Sequence, residues 1–228
     1  MAPGHDLAAA RGRRLPWYLA GPAGDAGGGR LLPSPPDGGP DHDAFIYDPE
    51  DPVPSHGGRV LQLGRLAAGP LNQAHLESRP DVLCYTSEPL VEPLDVVGRQ
   101  RLRLRFGSDA PATALVAKLT DVHPDGRSLL VAEGSLRLEA TTGDGSGTNR
   151  TKPICCSATP RGATPGAPPA GTRHQQQLPH LDRHPNVPGP IGEAGYSRPA
   201  RQSLWYGGAY ESVLRLRTLP APETGEAR

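Results

Sequence analysis

The stretch that most constrains this chain runs from Gln100 to Phe106, where arginine and a large apolar residue alternate. Leu102, Leu104 and Phe106 fall on one side and Arg101, Arg103 and Arg105 on the other. A helix of period 3.6 would scatter both sets around its circumference, whereas a strand keeps them on opposite faces, one buried and one wet. Further apolar runs follow at Leu115 to Val122 and Ser135 to Glu139. Between them lies His123-Pro124-Asp125-Gly126, a tight-turn tetrapeptide in which proline presets φ and glycine accepts positive φ. Strands at this spacing predict an all-β sandwich or barrel. The best-defined strands are expected near 82–86, 101–106, 114–122, 135–140 and 212–219. Leu102, Leu104, Phe106, Val116, Leu119, Leu136, Leu138, Leu214 and Leu216 are expected to point inward.

With 228 residues the chain has the length of one ordinary β-domain, and its 28 prolines and 29 glycines, a quarter of the whole, mark it as loop-rich. Basic and acidic residues balance at 24 each. No electrostatic footprint for nucleic acid or an acidic membrane is expected from that balance, and no apolar run is long enough to span a bilayer. The start, MAPGHDLAAARGRRLP, lacks the apolar stretch of a signal peptide, so secretion is not expected. Cys155 and Cys156 are adjacent and Cys84 is distant. That spacing suits neither an unstrained bridge nor a metal site, and the expectation is a reduced, cytoplasmic setting without cofactor or metal.

Several local features invite a chemical reading. The glycine-rich GPAGDAGGGR after Gly21 lacks the Gly-Lys-Ser/Thr ending of a phosphate loop and reads as a surface turn. Asp41, His42 and Asp43 are adjacent, so an extended backbone turns them to alternate faces, and a solvated loop is the better reading than a shared cation. Glu77 and Arg79 read as fixing a local turn. Trp205, Tyr206 and Tyr210 cluster before an alternating run at Ser212 to Leu219. They read either as ordinary packing at a strand entrance, which is favoured, or as an aromatic platform for a sugar or other flat ligand.

Thr142 to Leu178 breaks the pattern. Its only large aliphatic residues are Ile154 and Leu178, it has neither period, and it is dense in Gly, Pro, Thr and Ala, a composition that predicts disorder. Asn149-Arg150-Thr151 inside it is a chance glycosylation sequon.

The run Arg79-Pro80-Asp81-Val82-Leu83, then Tyr85-Thr86-Ser87, Pro89-Leu90, Ser108-Asp109-Ala110-Pro111, Ala117-Lys118-Leu119, Asp121-Val122 and Asp125-Gly126 resembles the C-terminal β-domain of serine hydrolases similar to cocaine esterase and X-prolyl dipeptidyl-peptidase. So does the upstream segment from Asp43 to Pro54, completed by Gly57-Gly58. The resemblance implies a jelly-roll, galactose-binding-like sandwich over residues 15–219, between tails at 1–14 and 220–228. It implies as partner an α/β-hydrolase catalytic domain, which in the family precedes the jelly roll and holds the Ser, Asp and His triad. No catalytic residue is then expected here. Tyr47 and Asp48 fall where the family's β-domain meets its catalytic domain and read as interface or structural residues. The family's usual acidic residues are replaced by Ala112 and Ala114. Within 142–178 the family's strand-forming residues are missing, and a Gln run stands where a Ser-rich strand belongs, as a one-base shift of repeated AGC codons would give. The two readings are therefore a frameshifted stretch, which is favoured, or a disordered insertion. Either way the segment is expected to lie outside the sandwich and leave it incomplete. The function implied is that of the non-catalytic domain of a hydrolase acting on esters or Xaa-Pro peptides; the alternative is a stand-alone jelly-roll module binding carbohydrate or protein.

Overall fold

A computed structural model of the chain describes residues 13–22, 28–58, 67–139, 183–189 and 195–219, together with the backbone of two strands at 150–157 and 169–174. The expected outer tail regions 1–12 and 220–228, the glycine-rich 23–27 and the sequon at Asn149 lie outside the described residues. Among the described residues the regular structure is nearly all strand: β1 (Arg13–Ala20), β2 (Gly29–Leu32), β3 (Asp41–Tyr47), β4 (Leu83–Thr86), β5 (Arg99–Ser108), β6 (Ala112–Val122), β7 (Ser128–Glu139), β8 (Arg150–Ser157), β9 (Pro169–His174), β10 (Ala200–Tyr206) and β11 (Val213–Thr218), with one helical turn, α1 (Ala74–Glu77). None of its described helices is long and apolar enough to cross a membrane.

Hydrogen bonding orders the strands β3-β10-β5-β11-β1-β2-β4-β9-β6-β7, with β8 also on β5. Residues 101–103 of β5 pair with β11 and residues 105–108 with β10, while β8 runs along 99–106, so β8 occupies the opposite edge. β2 and β4 run parallel and the other pairs antiparallel. The two halves of this row face each other. Leu102, Leu104 and Phe106 of β5, Leu204 of β10 and Leu214 and Leu216 of β11 share one apolar core with Leu115, Ala117 and Leu119 of β6, Leu138 of β7 and Tyr85 of β4. The alternation read from the sequence thus has the right register, with Arg101 exposed and Arg103 and Arg105 half-buried.

β6 departs from the expected pattern. Val116 and Leu119 are both buried but on opposite faces, because β6 is covered on both sides over most of its length. A second small cluster of Val53, Leu76 and Val82 lies outside the main core. Ala112 and Ala114, where the family has acidic residues, are buried. Leu136 is half-buried against the core.

The segment expected to lie outside the sandwich contributes backbone to it. Arg150–Ser157 pairs with the whole of Arg99 to Phe106, and Pro169–His174 sits between β4 and β6. This corrects the expectation for those two stretches and takes away the support that exclusion lent to a frameshift or an incomplete sheet. The physical reason is that ladder bonds use main-chain N–H and C=O groups, which almost any residue supplies, so a composition poor in apolar side chains does not forbid a strand.

One close approach yields a prediction. A Cβ on Gly29 of β2 would collide with the ring of Tyr85 on β4 and lie 2.9 Å from the carbonyl oxygen of Ala20. Gly29→Ala should therefore destabilise the domain by roughly 1–3 kcal/mol through overpacking. A lowered denaturant midpoint with an unchanged slope is the expected readout.

Candidate functional site

Polar groups gather in three places inside the sandwich. At one end, Tyr47 is fully buried and its hydroxyl donates to the carbonyl of His184 at 3.2 Å. Burial raises the Tyr47 pKa well above the usual phenol range. His184 Nδ1 accepts from the amide of Asn186 at 3.1 Å, and Asn186, at φ 62°, accepts at Oδ1 from Thr113 Oγ1 at 2.9 Å. Gln202 Nε2 donates to the same Thr113 hydroxyl at 3.1 Å. These residues belong to distant parts of the chain and close the core with a polar plug. Tyr47 therefore has a structural place inside the domain. Asp48 beside it is half-buried and accepts from the amide of Glu50 at 2.9 Å, fixing the turn after β3.

Nearer the middle, Asp43 accepts from the hydroxyls of Tyr85 and of Tyr206, the latter at 3.2 Å. His42, one residue away, points out and stacks on Trp205 with centroids 4.4 Å apart. Asp41, His42 and Asp43 are thus divided between faces, as an extended backbone requires.

The third place is the second face of β6. Lys118, 2 % exposed, donates from Nζ to Gln73 Oε1 at 2.5 Å, and Gln73 Nε2 donates to the carbonyls of His56 and Leu71 at 2.8 and 2.9 Å. Ser128 Oγ donates to Glu77 at 2.5 Å, and Asn72 Oδ1 accepts from the amide of Ser128 at 2.9 Å. The segment around α1 is bound to the sheet by these contacts. Burial lowers the Lys118 pKa to about 8, against the opposing pull of Glu133 and Glu77. Arg79, read with Glu77 as a turn-fixing pair, fixes the turn with other partners: Asp81 at 2.8 Å and Asp51 at 3.1 Å.

The aromatic platform is corrected. Trp205 and Tyr206 are neighbours on β10 and therefore lie on opposite faces; Tyr206 is buried, edge-on to Tyr85, while Trp205 is half-buried on the outside. Trp205 is already stacked on His42 and lies 5.6 Å from the Tyr210 ring, with Arg105 over Tyr210 at 5.9 Å. These rings pack with one another, as at a strand entrance.

The chemistry of these places is that of support. The buried hydroxyls of Ser87, Ser128 and Ser212 donate to the carbonyl of Glu88, the carboxylate of Glu77 and the carbonyl of Trp205. The imidazole of His184 faces Asn186, and that of His56 meets His75 edge-on. Fold and polar interior together define a β-sandwich domain whose buried polar groups hold its loops to the sheet. The chain belongs to the family of X-Pro dipeptidyl-peptidase C-terminal non-catalytic domains, whose profile matches residues 11–189. It is 41 % identical over 125 residues to cocaine esterase of Rhodococcus sp. (strain MB1 Bresler), covering 54 % of this chain and 22 % of the esterase. Among solved structures it is similar in fold to an aminopeptidase from a marine sediment Thaumarchaeota archaeon, with TM-score 0.76 and 20 % identity over 91 % of this chain and 37 % of that one. An α-amino acid ester hydrolase gives TM-score 0.71 and 22 % identity over 90 % of this chain and 36 % of the hydrolase. The chain therefore spans well under half the length of these relatives, in which this domain is part of a larger hydrolase.

Proposed function

We propose that this chain serves as the non-catalytic sandwich domain of a serine hydrolase for esters or Xaa-Pro peptides, supporting an α/β-hydrolase catalytic domain that carries the nucleophile. The observation that carries this reading is the family match across most of the chain, joined to a polar interior whose groups are engaged in holding loops to the sheet. Acyl transfer needs a nucleophile, a base within hydrogen-bond reach and an orienting acid. In this reading the catalytic partner brings all three, and the sandwich brings rigidity. Asp48 and its turn fall at the meeting place that the family resemblance assigns.

Two measurements test it. Alone, the chain should hydrolyse p-nitrophenyl esters and prolyl-dipeptide substrates no faster than background; turnover abolished by a serine-directed phosphonate would overturn the reading. Grafted in place of the matching portion of the Rhodococcus esterase, it should restore a folded, active enzyme. A chimaera that folds but is as inactive as the esterase lacking that portion would count against it.

A further inference from the structure

The balanced charge of the chain is not evenly placed. Strand register brings Arg14 of β1, Arg215 and Arg217 of β11, and Arg101, Arg103 and Arg105 of β5 to the outer face of one layer. Arg14 stands directly opposite Arg217, and Arg101 directly opposite Arg215. Like charges at directly opposed sheet positions are destabilising. On the other edge of β5 the residues opposite Arg101, Arg103 and Arg105 are Cys155, Pro153 and Thr151, none of them an acid. Among the described residues the carboxylate serving this row is Glu211, 2.6 Å from Arg103. At the rim, Asp109 is taken up by Arg198 at 3.5 Å and by the amide of Arg201. A sheet that sets two arginine pairs opposite each other, with no counterion for either pair among the described residues, is arranged for an anionic occupant.

We propose that this arginine face docks an acidic protein surface, one presenting Asp and Glu side chains at strand-like spacing. Two observations favour protein over polynucleotide. The same outer face carries apolar and aromatic groups, Ile46 at 62 % exposure and half-buried Trp205. Arginine with aromatic and aliphatic anchors is the composition of protein interfaces. Finally, in its relatives the domain is the minor part of a longer chain. The inference rests on the reading above to this extent: the hydrolase partner is the natural bearer of that acidic surface. Arginine suits the task because its planar fork grips carboxylates bidentately and stays charged.

The test uses the full chain and a short fluorescent peptide of alternating Glu and Ala, with an oligo-dT strand and anionic phosphatidylserine vesicles as competing probes. The peptide should bind and weaken by about tenfold or more as salt rises through the physiological range. Arg101→Glu with Arg215→Gln should weaken it by about tenfold again, yet leave the free chain as stable or more stable, because two like charges no longer stand opposite each other. Arg127→Gln, on the turn before β7, should change binding less than about twofold. Absence of peptide binding, equal loss in Arg127→Gln, or tighter binding of the oligo-dT or the vesicles would overturn the proposal. The peptide assay contains no hydrolase, so its failure is separate from failure of the chimaera.

Discussion

Acidification from pH 7 to pH 4.5 should destabilise the folded domain by about 2–3 kcal/mol through His184 alone. This imidazole is fully buried in the plug, where Nδ1 accepts from the Asn186 amide and Nε2 has no hydrogen-bond partner among the described residues. Burial, and then the charge of Arg137, lower its pKa from 6.5 to about 4, with Glu139 pulling weakly the other way. An unfolded chain takes up a proton near pH 6.5 that the native state declines until about pH 4. The stability this group contributes is therefore complete above pH 6.5 and is lost as pH falls towards 4. His56, also lowered by burial first and then by His75 and Lys118, adds to the same slope. The control is His184→Asn, whose side-chain oxygen can still accept from the amide two residues on but does not titrate. Denaturant midpoints at a series of pH values should show a shallower acid limb in that variant than in the parent. Identical limbs would assign the acid loss to carboxylates.

How much of this was legible beforehand depends on whether both faces of a strand differ. β5 was readable because its arginines and leucines contrast at every step. β6 was readable as a strand but not in facing, since Leu115 to Thr120 is buried on both sides and offers no alternation to phase. The plug was invisible: Tyr47, Thr113, His184, Asn186 and Gln202 are polar or only weakly apolar. They are buried because their partners arrive from elsewhere in the chain, which no local window reports. Asp43 was likewise hidden, its neighbours Asp41 and His42 suggesting a wet loop while its own side chain serves two tyrosines. The arginine face escaped a reading based on net charge because balance over the whole chain says nothing about which residues the register sets opposite one another. It could have been found only by pairing the two ends of the sequence with its middle. The strands at 150–157 and 169–174 escaped for the converse reason, since composition reports on side chains and the ladder is made by the backbone.

Removal of the Lys118 ammonium should loosen the segment that covers the second face of β6. Lys118→Met at neutral pH is expected to leave Gln73 Oε1 a buried acceptor without its donor, a cost of about 1–3 kcal/mol that release of the buried charge offsets in part. Gln73 Oε1 loses its donor at 2.5 Å, and the carboxylates of Glu77 and Glu133 lose the cation whose charge they act on. Gln73 in turn orients the carbonyls of His56 and Leu71, so the covering segment should loosen from β6 and the start of β7. Hydrogen exchange should then quicken at the amides of Gln73 and Leu130, which donate to the carbonyls of Ser128 and Leu71 at 2.7 and 3.2 Å. A separate signature distinguishes this lysine from an ordinary packing residue. Its pKa is about 8 in the folded state against 10.5 for an ordinary lysine, chiefly because burial penalises the charge. Between those values the unfolded chain binds more protons than the native one, so stability should rise with pH, by roughly 2 kcal/mol up to about pH 9.5. Beyond about pH 10 the rise should reverse. Tyr47 and Tyr206, both raised first by burial, keep protons that the unfolded chain releases. Lys118→Met should lack the rise and keep the reversal. A parent protein whose stability is flat between pH 8 and pH 9.5 would show that Gln73 and the nearby carboxylates fully compensate the burial of the ammonium.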